Sequence, residues 1–214
     1  MKMLLFMLLS IVGCNLFLIV SAQYKMTHMF DGRSGIVQLF EWKFKDIANE
    51  CIFLNENGYG GVQTSPIQES VATDASAWEI RYHPVSYKIF SASGDVDEFK
   101  DMVMKCYELK IRIYVDVVIN QMARGNDEIL GTAKTTADPP KLQYPGIPYG
   151  PDEFNEFCLI KNYTNAFEVR NCRLEEMPDL NQSKESVQDK IAEYLNRLIS
   201  YGVAGFRVDA VKHM

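Results

Sequence analysis

The chain has no basic excess: 22 lysines and arginines stand against 28 acidic residues, a net charge of −6 at pH 7. That argues against nucleic acid as a partner, because a polyanion recruits a basic face. A neutral polymer needs no steering field, so charge here excludes partners without choosing one. No Cys-x-x-Cys pair occurs among the five cysteines, which speaks against structural zinc. No repeat at a fixed period is evident beyond an alternation of strand and helix patterns. Nor is there a tail of disordered composition: 47% hydrophobic, 12% aromatic and 23% charged residues make a globular balance. At 214 residues, one domain or one and a half is expected.

What is present begins with Lys2, an apolar run from Met3 to Val20, and Val20-Ser21-Ala22 ahead of Gln23. A positive start, an apolar middle and a small-residue exit read as a secretory signal peptide over residues 1–22. The same run is long enough to be an uncleaved membrane anchor; Gln23 as the first residue of the mature chain would exclude that alternative. Secretion is the expectation, with no membrane contact after cleavage. Once Cys14 leaves with the signal, Cys51, Cys106, Cys158 and Cys172 remain, an even count open to three pairings. Asn162-Tyr163-Thr164 and Asn181-Gln182-Ser183 are acceptor triplets for N-glycosylation, a short pattern that also arises by chance.

From Gly35 onward strand and helix patterns alternate. Gly35 to Trp42 and Gly60 to Pro66 read as strands, and Lys43 to Asn57 as a helix closed by Gly58. Ile67 to Gly94 reads as an irregular stretch carrying Trp78, Tyr82, His83 and Tyr87. Aromatics on a loop suit sugars, whose CH faces stack on rings, although ordinary packing is the better reading for Tyr87. Asp95 to Lys110 is a helix with Asp95 or Asp97 as cap, and Ile111 to Asn120 is a strand rich enough in β-branched residues to be covered on both faces. Periodicity then vanishes from Gln121 to about Asp179, and a loop that long is functional or a small inserted domain. Gln182 to Tyr201 returns as an amphipathic helix capped by Ser183.

The last stretch, Gly202 to Met214, reads GVAGFRVDAVKHM. Val203, Phe206 and Val208 write a buried parallel strand, yet Arg207, Asp209, Lys212 and His213 crowd into it or just beyond it. Unpaired charge inside a strand is costly, so Arg207 and Asp209, two residues apart on one face, must be paired, solvated at the strand's end, or used. A structural ion pair would explain two such residues. Four polar groups at a strand's carboxyl end, where parallel α/β folds keep their chemistry, point to a site.

GFRVDAVKH resembles the segment that carries the nucleophilic aspartate in the animal-type branch of the α-amylase family of glycoside hydrolases. DVVIN at 116–120, WEIRYHPVSY at 78–87 and the strands GIVQLFEW and GGVQTSP resemble other segments of that family. The resemblance implies the amino-terminal half of a (β/α)₈ TIM barrel, about four strands, over 23–120 and 180–214, with a long inserted calcium-binding loop domain over 121–179. It implies Asp209 as nucleophile, with Arg207 orienting it and holding chloride. Trp78 and Tyr82 would stack on α-glucan, Asp116 would lie beneath the cleavage subsite, and Lys212 and His213 would contact substrate. Calcium would be held by the side chains of Asn120 and Asp179 and the backbone oxygens of Arg170 and His213. The pairings would be Cys51 with Cys106 and Cys158 with Cys172. The activity implied is endo-hydrolysis of α-1,4 bonds in starch or glycogen with retention, by a secreted protein that is monomeric when full length.

Two departures stand out. Gln121 occupies the place of a family histidine that bonds the sugar, and glutamine cannot carry a proton's charge. Glu79 follows Trp78 where a second tryptophan is usual. The family's acid and transition-state carboxylates follow later strands, so these 214 residues alone are expected to show no starch hydrolysis. Glu41, Glu69 and Glu79 are expected away from the leaving oxygen. Two alternatives follow: a noncatalytic glucan-binding relative, or a membrane-anchored partner protein with an amylase-like ectodomain.

Overall fold

The computed structural model describes residues 29–73 and 77–214. The signal peptide expected over residues 1–22 lies outside the described residues, and no helix among those described is long and apolar enough to cross a membrane. In chain order the elements are β1 Ile36–Leu39, α1 Phe44–Glu56, β2 Gly61–Thr64, β3 Gln68–Ser70, β4 Pro84–Ser91, β5 Gly94–Asp95, α2 Val96–Glu108 and β6 Arg112–Val117. After β6 come β7 Ile129–Leu130, β8 Thr136–Ala137, α3 Ala166–Asn171, α4 Glu185–Ser200 and β9 Gly205–Val208.

Four strands form one parallel sheet in the order β1-β2-β6-β9. Parallel neighbours need long crossovers, and α1, α2 and α4 lie within the three connections of this sheet. β6 sits inside the sheet with five of its six residues buried, as its β-branched sequence requires. α1 buries Phe44, Ile47, Ala48, Cys51 and Leu54, a stripe at helical spacing, and the chain leaves it through Gly58 at φ +77°. α2 starts on a reciprocal cap: Asp95 Oδ1 accepts from the Asp97 and Glu98 N–H groups at 3.0 Å, and Glu98 accepts from the Asp95 N–H. Phe44 meets Phe99 edge-on at 5.3 Å, and the Cys51–Cys106 disulfide ties α1 to α2.

Three expectations need correction. The stretch from Ile67 to Gly94 is not irregular throughout: β3, β4 and β5 form an antiparallel sheet within it. Its main strand alternates Val85, Tyr87 and Ile89, all buried, with Lys88 and Phe90 exposed, and Pro84 sits at the first position, where a strand tolerates proline. Ser183 does not cap α4. The flanking residue is Lys184, without a side-chain cap, and the Ser183 hydroxyl bonds Asn181 Oδ1 instead. The strand expected over Gly35 to Trp42 stops at Leu39, because the chain turns there with Glu41 left-handed at φ 68°.

Residues 121–179 contain the β7–β8 hairpin, α3, the Cys158–Cys172 disulfide and scattered single bridges. Tyr144, Ile147, Tyr149 and Phe154 from this stretch join Val115, Val117 and Tyr194 in one continuous core. Tyr87 stacks on Tyr194 at 4.7 Å and shares a hydroxyl contact with Tyr149, so packing explains it.

Candidate functional site

The site begins with a register. In the β6–β9 pair Asp116 lies opposite Arg207, so both side chains rise from one face of the sheet. Arg207 Nη1 donates to Asp116 Oδ1 and Oδ2 at 2.8 and 2.9 Å and to Asp209 Oδ1 at 2.7 Å. Tyr82 donates its hydroxyl to Asp116 Oδ2 at 2.9 Å. The three charged side chains are graded in depth: Asp116 is sealed, Asp209 is 17% exposed and Arg207 43%. Burial pushes the Asp116 carboxyl up, and hydrogen bonds from Arg207 and Tyr82 only partly hold it down. Burial pulls Arg207 down, but the two carboxylates more than offset it and leave the guanidinium above its ordinary value. Burial, then the charge of Asp116, pushes the Tyr82 hydroxyl well up, so it stays a donor.

Backbone geometry aims Asp209. Its N–H donates to the Val117 carbonyl at 3.0 Å, prolonging the ladder by one bond. The next residue, Ala210, then turns left-handed at φ 49° and ψ 28° and starts a short turn over Val211–His213. An L residue held there is strained by about 1 kcal/mol or more. The result is a sharp corner with Asp209 at its tip.

A cavity of about 570 Å³ opens at this corner. Trp78, Tyr82, Gln121, Arg207, Asp209, Lys212 and His213 line it together, although they come from three distant parts of the chain. Asp116 lies behind the wall, reached through Arg207 and Tyr82. Trp78 is half exposed and meets Tyr82 edge-on at 6.0 Å. Gln121 donates to the Tyr82 carbonyl at 3.2 Å, and its Oε1 is buried without a partner.

The opposite wall was not legible in the sequence. Leu174, Glu175 and Met177 supply it, with Glu175 and Glu176 both left-handed and Arg124 bonding the Glu175 carbonyl at 2.9 Å. Tyr163 also approaches: its ring stands 6.3 Å from that of His213 and 5.5 Å from Lys212 Nζ. No local pattern marks these residues, since only the fold of the stretch over 121–179 brings them near.

The residues that the resemblance assigns to calcium fall into two neighbouring pairs. Asn120 and Asp179 are joined by the Leu180 N–H to Asn120 carbonyl bond and the Gln121–Asp179 bridge. Asn120 Oδ1 and Asp179 Oδ1 are buried acceptors with no donor, and burial pushes the Asp179 carboxyl up to about 7 against the pull of Asn155 and Arg173. His213 Nδ1 lies 2.8 Å from the carbonyl of Val169, next to Arg170. Among the described residues no three His, Cys, Asp or Glu side chains cluster. Oxygen acceptors left without donors fit a hard cation. Arg207 does not by itself fit chloride, because two carboxylates bracket it and repel an anion.

Residues 43–214 match the alpha-amylase catalytic domain. The chain belongs to the α-amylase family. Over 189 residues this amylase-family chain is 47% identical to the alpha-amylase-related protein of Drosophila ananassae and 48% identical to that of Drosophila bipectinata. These matches cover 87% of the chain and 38% of each relative. The crystal structure of wild-type alpha-amylase I from Eisenia fetida superposes with a TM-score of 0.84 at 45% identity, covering 87% of the chain and 39% of that enzyme. A variant of the Eisenia enzyme has been crystallised with maltohexaose. The amylase-family chain thus spans less than two fifths of its relatives' length.

Of the three acids that the resemblance places away from the leaving oxygen, one lies in the cleft wall. Glu79 lines the same cavity as Asp209, because the turn over Trp78–Tyr82 folds back across it. Glu41 forms an ion pair with Arg81. Glu69 is fully buried and accepts from the Ser86 hydroxyl and from the Ala133 and Thr135 N–H groups.

Proposed function

We propose that this chain forms the nucleophile-bearing wall of an α-glucan hydrolase that cleaves internal α-1,4 bonds of starch or glycogen with retention. The observation that carries this reading is Asp209 at the tip of a strained corner, facing a cavity and gripped by an arginine anchored on buried Asp116. Asp209 Oδ attacks the anomeric carbon, the bond from that carbon to the leaving oxygen breaks, and a covalent glycosyl-enzyme forms. An acid protonates the leaving oxygen; water later attacks the same carbon and frees Asp209. Arg207 holds the attacking carboxylate in place through its 2.7 Å hydrogen bond. Trp78 and Tyr82 offer ring faces to the glucan, and Lys212, His213 and Gln121 offer polar contacts.

The sheet is the amino-terminal part of a (β/α)₈ barrel, with residues 121–179 inserted after its third strand. We assign the acid to none of the carboxyl groups in residues 1–214, so these residues alone are expected to hydrolyse no starch. Calcium, when bound by the Asn120 and Asp179 side chains and the Arg170 and His213 carbonyls, supplies positive charge that fastens the insert to the sheet. Two disulfides suit an oxidising compartment, which supports secretion. The test is starch hydrolysis by these residues joined to the rest of an α-amylase barrel. Turnover should vanish in Asp209→Asn while the fold persists, and unchanged turnover in that variant would sink the assignment.

Gln121 favours a second reading, a glucan-binding relative with little or no turnover. Its Oε1 is buried without a donor, and an amide cannot take the charge an imidazole would carry. Gln121→His in that completed barrel should raise turnover several-fold, about 1 kcal/mol of barrier. An unchanged or lower rate would remove Gln121 as the reason for weak activity.

A further inference from the structure

Two acceptor triplets, Asn162-Tyr163-Thr164 and Asn181-Gln182-Ser183, take no part in the chemistry above. Their surroundings differ sharply. Asn162 is exposed on the loop between Cys158 and Cys172. Its Oδ1 accepts from the Thr164 N–H at 2.9 Å and the Thr164 hydroxyl at 2.7 Å. Glu168 fixes the turn by accepting from the Lys161 and Asn162 N–H groups. Every bond recorded for the Asn162 side chain goes through Oδ1, which leaves Nδ2 to solvent.

Asn181 is half-buried. Its backbone is held much as that of Asn162 is, the N–H by the Glu153 carbonyl at 2.8 Å and the carbonyl by the Lys184 N–H at 3.0 Å, and its Oδ1 likewise accepts from the Ser183 N–H and hydroxyl; what differs is burial. Leu180, just before it, is fully buried. Gln182, just after it, reaches the Ile119 and Asn120 carbonyls at 3.2 Å. A bulky, hydrated oligosaccharide is compatible with the exposed first setting and is disfavoured at the half-buried second.

We propose that Asn162 carries an N-linked glycan and that Asn181 stays bare. The donor class is an oligosaccharide activated as a lipid-linked diphosphate. The bond between its anomeric carbon and the diphosphate oxygen breaks, a bond from that carbon to Asn162 Nδ2 forms, the amide gives up one proton, and the lipid diphosphate leaves. The glycan then stands beside the cleft, because neighbouring Tyr163, 60% exposed, meets the cleft-lining Lys212 and His213. On the glucan reading above, it narrows access from that side.

The test is glycopeptide mass spectrometry on protein secreted from a eukaryotic cell behind a heterologous leader, so that entry into the secretory pathway does not depend on residues 1–22. A single glycan mass should appear on the peptide containing Asn162 and disappear with N-glycosidase, leaving aspartate there. The mass should be lost in Asn162→Gln and in Thr164→Ala and kept in Asn181→Gln. Bare Asn162 in secreted protein, or a glycan on Asn181 at comparable occupancy, overturns the proposal. Peptide mapping of the unsubstituted protein decides the matter even where a variant is not secreted. Occupancy is read by mass, so a protein that binds no glucan still tests it.

Discussion

The parallel sheet and the excursion over residues 121–179 share one core yet are held by different means. The sheet depends on ladder bonds and on apolar side chains repeating at fixed periods, with Ile113, Val115 and Val117 sealed along β6. The excursion has almost no ladder. Its shape rests on a disulfide, single bridges, left-handed residues such as Lys134, Leu142, Glu175 and Glu176, and side chains that hold backbone, as Glu69 holds the turn at 133–135. The cleft lies where the two meet. Asp209 is set by the sheet, and the wall facing it by the excursion. Backbone of the sheet thus fixes the Asp209 carboxylate, while the more local scaffold shapes the rest of the pocket.

The sharpest way to break this contrast is to cut into the sheet. Ile113→Ala should cost about 2–5 kcal/mol, the range for a fully buried aliphatic truncated to alanine. Urea unfolding should show a lower midpoint, and amide exchange should quicken in sheet and excursion alike. Replacing Cys158 and Cys172 together by alanine should cost about 3 kcal/mol, the chain-entropy figure for a loop of this size. Exchange should then quicken mainly over 158–172. If β6 amides lose protection as much as the loop does, the two regions are one cooperative unit and the contrast fails.

The smallest effect concerns the junction itself. Burial raises the Asp116 carboxyl in the folded chain, so the folded state holds that proton more tightly than the unfolded one. The associated stability is full below about pH 4, near the unfolded value, and is lost as pH rises through the folded value. Arg207→Gln removes the hydrogen bonds that hold the shift down, so the loss should move to higher pH. Urea midpoints measured across the acid range would show it. Identical profiles for the two proteins would mean that Arg207 does not govern this carboxylate.

Much of the sheet was legible because burial on both faces leaves a periodic trace. The helices α1, α2 and α4 follow from apolar spacing, and Asp95 was readable as a cap. β4 was missed although Val85, Tyr87 and Ile89 alternate cleanly, because the aromatics around it suggested a loop. Asp116, Arg207 and Asp209 stood out as charges in apolar strands. Leu174, Glu175, Met177 and Tyr163 did not, since nothing in their immediate neighbours reports a partner far along the chain.

The amino-acid sequence by itself determined the alternation of strand and helix, the family resemblance and the carboxylate at the end of β9, because period and local chemistry are properties of adjacent residues. Only the tertiary structure decided that Asp209 faces a cavity, that Asp116 is sealed behind Arg207 and Tyr82, that Glu79 joins the cleft, and that Asn162 is exposed while Asn181 is half-buried. Those facts depend on which distant segments displace water from one another, and burial of that kind exists only once the chain has closed on itself.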